Sequence, residues 1–252
     1  MIFESKSYHH YFPEERFRAF TVSYNQSVLW IGMDPSSFSL EMQEFARAGQ
    51  QTVYEELESY IAADPFFKKS LKPCIVEDSA PEMIKKAAEA ASLAGVGPMA
   101  AVPALICEKV ARLLLENFSI NELVVEDGNN LYLKLQDPLN VCIFAGESPL
   151  SGMAGIEVDA EQTPGGICSS AETAGSLLNF GKADVVMVAS ANAALAGALA
   201  TGYNNLIKKP ADVNKVLKRA KGMPGVTGAL MICEDQVGLH GSFELKLLKG
   251  SR

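Results

Sequence analysis

The stretch from Gly95 to Leu135, GVGPMAAVPALICEKVARLLLENFSINELVVEDGNNLYLKL, most constrains what this chain can fold into. It sets a turn, an apolar helix, a strand, a polar turn and a second strand in succession, with hardly a residue to spare. Gly95, Gly97 and Pro98 make a turn in which the glycines can take φ > 0 and the proline presets a helix start. Ala100 to Glu116 carries small and aliphatic residues on most of its circumference, which predicts a buried helix. Pro103 falls about one turn in, where a missing amide is tolerated or the helix kinks. Leu123 to Val125 reads as a strand, and Asp127-Gly128-Asn129-Asn130 as a hairpin-type turn before Leu131-Tyr132-Leu133. A Gly-rich turn opening a buried helix and facing a second polar turn suits a small anionic ligand. These residues alone name no reaction.

The 252 residues are 48% hydrophobic, enough for a well-filled core, and the net charge of −8 argues against nucleic acid or an anionic membrane as partner. The basic cluster from Lys208 to Lys221 reads as a solvated helix face. Five widely spaced cysteines (74, 107, 142, 168 and 233), with no CxxC pair, point to reduced thiols and a cytoplasmic protein. Ala90 to Cys107 and Val185 to Ile207 are free of formal charge. Their prolines, glycines, serine and asparagines fit a folded core better than a membrane span.

Along the chain, Phe17 to Tyr24 and Ser27 to Met33 read as a hairpin around Asn25-Gln26. Phe38 to Ala63 is the longest helical pattern, capped by Asp34 or Ser36 and ended by Asp64-Pro65. Pro81 opens another helix that runs to the turn at Gly95. Strands follow at Asn140 to Ala145, Gly152 to Val158, Gly165 to Ser170 and Val185 to Ala189, the last buried on both faces. An alanine-rich helix spans Asn192 to Leu206 and a short basic one Ala211 to Lys221. Val226 to Glu234 and Ser242 to Leu248 are the final strands. Both halves thus offer a turn, an alanine-rich helix and paired strands, and no linker divides them. One compact α+β unit over residues 1–252 is expected, with pseudo-repeat halves at about 1–138 and 139–252.

GVGP lacks the third glycine of a dinucleotide fingerprint, and no P-loop, GxSxG or HExxH occurs. The terminal pair His9-His10 reads as solvent-exposed, and with His240 as the remaining histidine a Ser-His-Asp or Cys-His apparatus is not expected. Glu126 to Asn130 is the densest polar cluster between apolar strands, either a well-made turn or part of a site. Gly165-Gly166-Ile167-Cys168-Ser169-Ser170, with Thr173 beyond, offers hydroxyls and amides that suit phosphate or sugar oxygens and equally suit helix capping. Cys168 has no obvious base beside it and reads as a structural thiol.

Five segments together, Tyr60–Pro73, Pro81–Glu116, Leu123–Leu135, Gly166–Asp184 and Ala193–Asn205, resemble an uncharacterised bacterial and archaeal family related to the ApbE proteins. The resemblance runs from about residue 16 to 235, with GVGPMAAV and the Gly-Ile-Cys-Ser-Ser block its most specific parts. It implies an ApbE-like α+β fold, mixed or antiparallel sheets packed with helices, with an internal pseudo-duplication. ApbE proteins move FMN from FAD onto a target-protein threonine with Mg²⁺, so FAD is the implied ligand. The implied ligand-facing residues are Gly97, Pro98, Met99, Gly128, Asn129, Asn130, Ser169, Ser170, Thr173 and Thr201, with no catalytic residue assigned. Three departures stand out. The family's Glu-Asn-Gly-Gly-Asp turn ends here in neutral Asn130, the aspartate of Asp-Ala-Leu-Ala-Thr is Gly197, and a usual histidine is Ser176. A hard cation needs carboxylate oxygens, so these changes argue against Mg²⁺. Two readings stand, an ApbE-like flavin or nucleotide transferase and a non-catalytic binding protein of the same fold. A homodimer is expected from the long apolar strands.

Overall fold

The computed structural model describes residues 7–25, 27–171 and 179–248. Among them an eight-stranded antiparallel sheet is built from β1 (Arg18–Tyr24), β2 (Ser27–Met33), β3 (Leu123–Asp127), β4 (Asn130–Lys134), β7 (Gly165–Ser170), β8 (Val185–Ser190), β9 (Val226–Cys233) and β10 (Gln236–Gly241), in that spatial order. Strands β5 (Leu139–Cys142), β6 (Ala154–Val158) and β11 (Glu244–Leu247) form a second, three-stranded sheet. Sheet order follows chain order. A hairpin, a run of helices and a second hairpin make β1 to β4, and the same succession makes β7 to β10. The expected duplication therefore has a topological counterpart.

The helices are α1 (Glu41–Ala63), α2 (Pro65–Lys69), α3 (Glu82–Ala94), α4 (Val102–Asn117), α5 (Ala193–Leu206) and α6 (Val213–Lys221). They cover one face of the large sheet, and the small sheet covers the other. Strand periodicity decides which residues meet which layer. In β8, Val186 and Val188 join the helix-side core, while Val185, Met187 and Ala189 face the small sheet. Both faces are buried, which is why this strand is unbroken hydrophobic sequence. Alanine and glycine let α5 lie close to its neighbours: a Cβ on Gly202 would stand 2.5 Å from the Ala94 carbonyl oxygen. Gly166 is confined likewise, since a Cβ there would stand 2.7 Å from the Cα of Ala193.

Some expectations hold and others need correction. α1 begins at Glu41 after Leu40 and has no side-chain cap. Asp34 instead binds the Asn121 and Glu122 amides, at 3.1 and 3.0 Å, holding the loop before β3. Asp64-Pro65 ends α1 but also starts α2, with the Asp64 side chain accepting from the Phe66 amide. Pro103 sits in the first turn of α4, where no amide is needed. Gly95 is left-handed at φ +70°, but Gly97 is not, at φ −74°. Gly97 is required by close approach, since a Cβ there would stand 1.9 Å from the Ser70 carbonyl oxygen. Residues 210–212 form a 3-10 turn ahead of the basic helix, and β10 is a strand that the sequence pattern does not announce. β5 stops at Cys142 and β6 starts at Ala154, both shorter than expected. No helix among the described residues is long and apolar enough to cross a membrane, and none of the five cysteines forms a disulfide among the described residues.

Candidate functional site

Register brings the polar turns to one end of the large sheet. Tyr24 pairs with Ser27 at the β1–β2 turn, and Trp30 pairs with Glu126, so the β3–β4 turn opens at the same end. That turn spans Gly128 and Asn129, with Gly128 at φ +51°, a conformation that favours glycine. β7 ends beside it, where the Ser169 amide donates to the Asn129 carbonyl at 2.8 Å. Two of the sequence-derived groups are therefore in direct contact. Ser170 is occupied elsewhere, its hydroxyl accepting from Asn204 of α5 at 3.3 Å. The Asn130 side chain closes its own turn, donating to the Asp127 carbonyl at 3.4 Å. Gly97-Pro98-Met99 lies between α3 and α4 and touches Ser70 just after α2. Thr201 stands one turn after Gly197 on the same face of α5. Thr173 and Ser176 fall outside the described residues.

A cleft of about 580 Å³ opens at this end, lined by Asn25 and Ser27 of the first turn, Tyr54 and Glu58 of α1, Lys68 of α2 and Asp127 of β3. Glu58 accepts from the Asn25 side chain at 2.7 Å, and buried Gln50 donates to the Ser27 hydroxyl at 3.2 Å. Burial raises the Tyr54 phenol, opposed by the Ser27 hydroxyl and reinforced by the charge of Asp127. Asp127 itself is pushed up to about 6, first by burial and then by neighbouring Glu126. Its carboxylate has no hydrogen-bond partner among the described residues.

Other carboxylates near this sheet are engaged by several donors. Glu126, 3% exposed, accepts from the amides of Tyr8 and His9 at 2.8 and 3.0 Å and meets the His9 ring at 2.9 Å. His9 is not free in solvent as expected; its ring stacks on Trp30 with centroids 4.7 Å apart. Tyr8 in turn shares a hydrogen bond with Ser169 at 2.7 Å. Glu122 pairs with Arg16 at 2.7 Å and accepts from the Gln136 amide at 2.8 Å. Burial would raise the Asp34 carboxyl, but amide and hydroxyl donors outweigh it and hold the group well below the usual range. Burial pushes the Cys168 thiol far above its ordinary value, as a structural thiol requires.

The residues present do not fit Mg²⁺ at the positions the resemblance implies. A Cβ on Gly197 would stand 3.1 Å from Ala104 Cβ and 3.2 Å from the Ala100 carbonyl oxygen, so helix packing crowds any side chain there, and glycine itself supplies no carboxylate. Asn130 brings no charge. Among the described residues no group of three or more His, Cys, Asp or Glu side chains could hold a metal ion. The sequence missed Tyr54, Glu58 and Lys68, because polar positions on α1 and α2 carry no signal that separates a cleft wall from a solvated face.

A family model described as "AbpE bacteria" matches residues 9–239. The UPF0280 protein of Methanocella arvoryzae is 36% identical over 194 residues, 75% of this chain and 78% of that protein. The UPF0280 protein of Methanocaldococcus jannaschii is 32% identical over 191 residues, 74% and 77% of the two chains. Among solved structures, the apo form of the flavinyl transferase ApbE of Pseudomonas stutzeri superposes with a TM-score of 0.58, at 12% identity, over 92% of this chain and 94% of that one. The ApbE protein of Thermotoga maritima gives 0.51 at 13% identity over 90% and 97%. At such identities the likeness is one of fold.

Proposed function

The chain belongs to the AbpE bacteria family, and from that premise we propose that it binds a flavin or nucleotide, FAD first among them, without a working Mg²⁺ site. The observation that carries this reading is Gly197, which brings no carboxylate and where even an added Cβ would crowd Ala104 Cβ at 3.1 Å and the Ala100 carbonyl oxygen at 3.2 Å. The ligand would lie at the polar end of the large sheet, in the cleft beside Asp127. The Gly97-Pro98-Met99 and Gly128-Asn129-Asn130 turns and Thr201 would border it. Ser169 would contribute through its backbone amide on Asn129, while its hydroxyl faces Tyr8 on the other side of the sheet. Supporting this are a cleft of about 580 Å³, within the range of small-molecule sites, and the half-buried carboxylate left without a partner in it. The chain acts, on this reading, as one cytoplasmic domain with pseudo-repeat halves at about 1–138 and 139–252.

A second reading, an FMN transferase using FAD, is favoured by the fold shared with the Pseudomonas stutzeri flavinyl transferase. Calorimetric titration of the purified protein with FAD, with and without Mg²⁺, separates the two. Binding that is the same in EDTA supports the first reading. Binding that appears only with Mg²⁺ supports the transferase, and no binding in either condition removes flavin from both.

A further inference from the structure

The cleft holds an unusual inventory for an acidic protein. Asp127 lines it with no hydrogen bond to its carboxylate among the described residues. Glu58 has one donor, Asn25, and an ionised carboxylate has about four acceptor sites in all. Lys68 faces the same space and forms no ion pair among the described residues. Its ammonium brings three donors and a full charge. The remaining wall, Ser27 and Tyr54, adds hydroxyls that both donate and accept. Two acceptor-rich carboxylates beside one free ammonium match a ligand part that carries several hydroxyls and one anionic group. Vicinal hydroxyls can donate to the carboxylates much as a ribose does to the acid of a nucleotide-binding strand. An anion alone would be repelled by Asp127 and Glu58, and a simple cation by Lys68.

We propose that this cleft takes the sugar-phosphate portion of the ligand directly, Asp127 and Glu58 accepting from its hydroxyls and Lys68 carrying the charge of the phosphate. A divalent cation is then not needed to neutralise that phosphate. This assignment rests on the flavin or nucleotide reading above and names the groups that would make it work without a metal.

The test is calorimetric titration of the full chain in EDTA with FAD, riboflavin and ribose 5-phosphate, for the wild type, Lys68→Gln and Asp127→Asn. Lys68 is exposed, so Lys68→Gln should fold normally. It should weaken FAD and ribose 5-phosphate by about tenfold or more and leave riboflavin unchanged. Asp127→Asn should weaken all three, because each carries the hydroxyls. FAD binding that ignores Lys68→Gln overturns the assignment while the flavin reading stands. Ribose 5-phosphate binding that depends on Lys68, with none of FAD or riboflavin, sinks the flavin reading and leaves the assignment standing. A wild type that binds none of the probes overturns both.

Discussion

Glu126 and Asp127 are consecutive residues of one strand, and extended backbone sends their side chains to opposite faces of the sheet. Burial raises both carboxyls above their ordinary values. Their surroundings differ completely. Glu126 is enclosed by two amides and the His9 ring, and those bonds tie the Tyr8–Tyr11 segment onto the sheet. Asp127 looks into a cleft and receives nothing among the described residues. A buried charge held by several donors ties structure together, whereas one with no donors is a desolvation cost that a ligand can relieve.

That contrast is open to being broken. Glu126→Ala strands two amides and His9, so urea unfolding at pH 7 should show a loss of about 3–5 kcal/mol; a loss below about 1 kcal/mol would erase the distinction. Gly197→Asp forces atoms against Ala100 and Ala104 and should destabilise by about 1–3 kcal/mol. It should also leave FAD binding independent of Mg²⁺, and a gain of Mg²⁺ dependence would show that the packing can open.

Asp127→Asn works in the opposite direction. A carboxyl raised from 3.8 to about 6 favours its protonated form in the folded state, so its contribution is fully present below the ordinary value and is lost as pH rises through about 6. The variant mimics the protonated acid. It should therefore gain about 1–2 kcal/mol over the wild type at pH 7.5, converging with it near pH 4. Thermal unfolding across that range checks the sign. Lys68→Gln should sit within about 0.5 kcal/mol of the wild type, since no ion pair is lost.

Much of this fold was legible because local chemistry set it. The Asp127–Asn130 turn, Gly95 as a left-handed helix end, and the apolar run of β8 each carry their own signal. β10 was not legible, since Gln236-Val237-Gly238-Leu239-His240-Gly241 lacks the β-branched alternation of a strand and pairs because β9 presents an edge. α2 hid behind Asp64-Pro65, a pair that stops one helix and caps the next equally well. At the site, the contact of the β3–β4 turn with Ser169 was foreshadowed by two polar blocks. Lys68 and Tyr54 were not, because only the close approach of Gly97 to Ser70 and the shared end of two hairpins bring them to Asp127. His9 misled for a similar reason: its partner lies 117 residues away.

The most direct measurement is the titration of the Asp127 carboxyl carbon by NMR, in the free protein and in saturating FAD with EDTA. The expected midpoint lies near 6 in the free protein and falls when ligand hydroxyls donate to the charged form. A midpoint at the ordinary aspartate value, or one that FAD binding leaves in place, would contradict the assignment of this cleft.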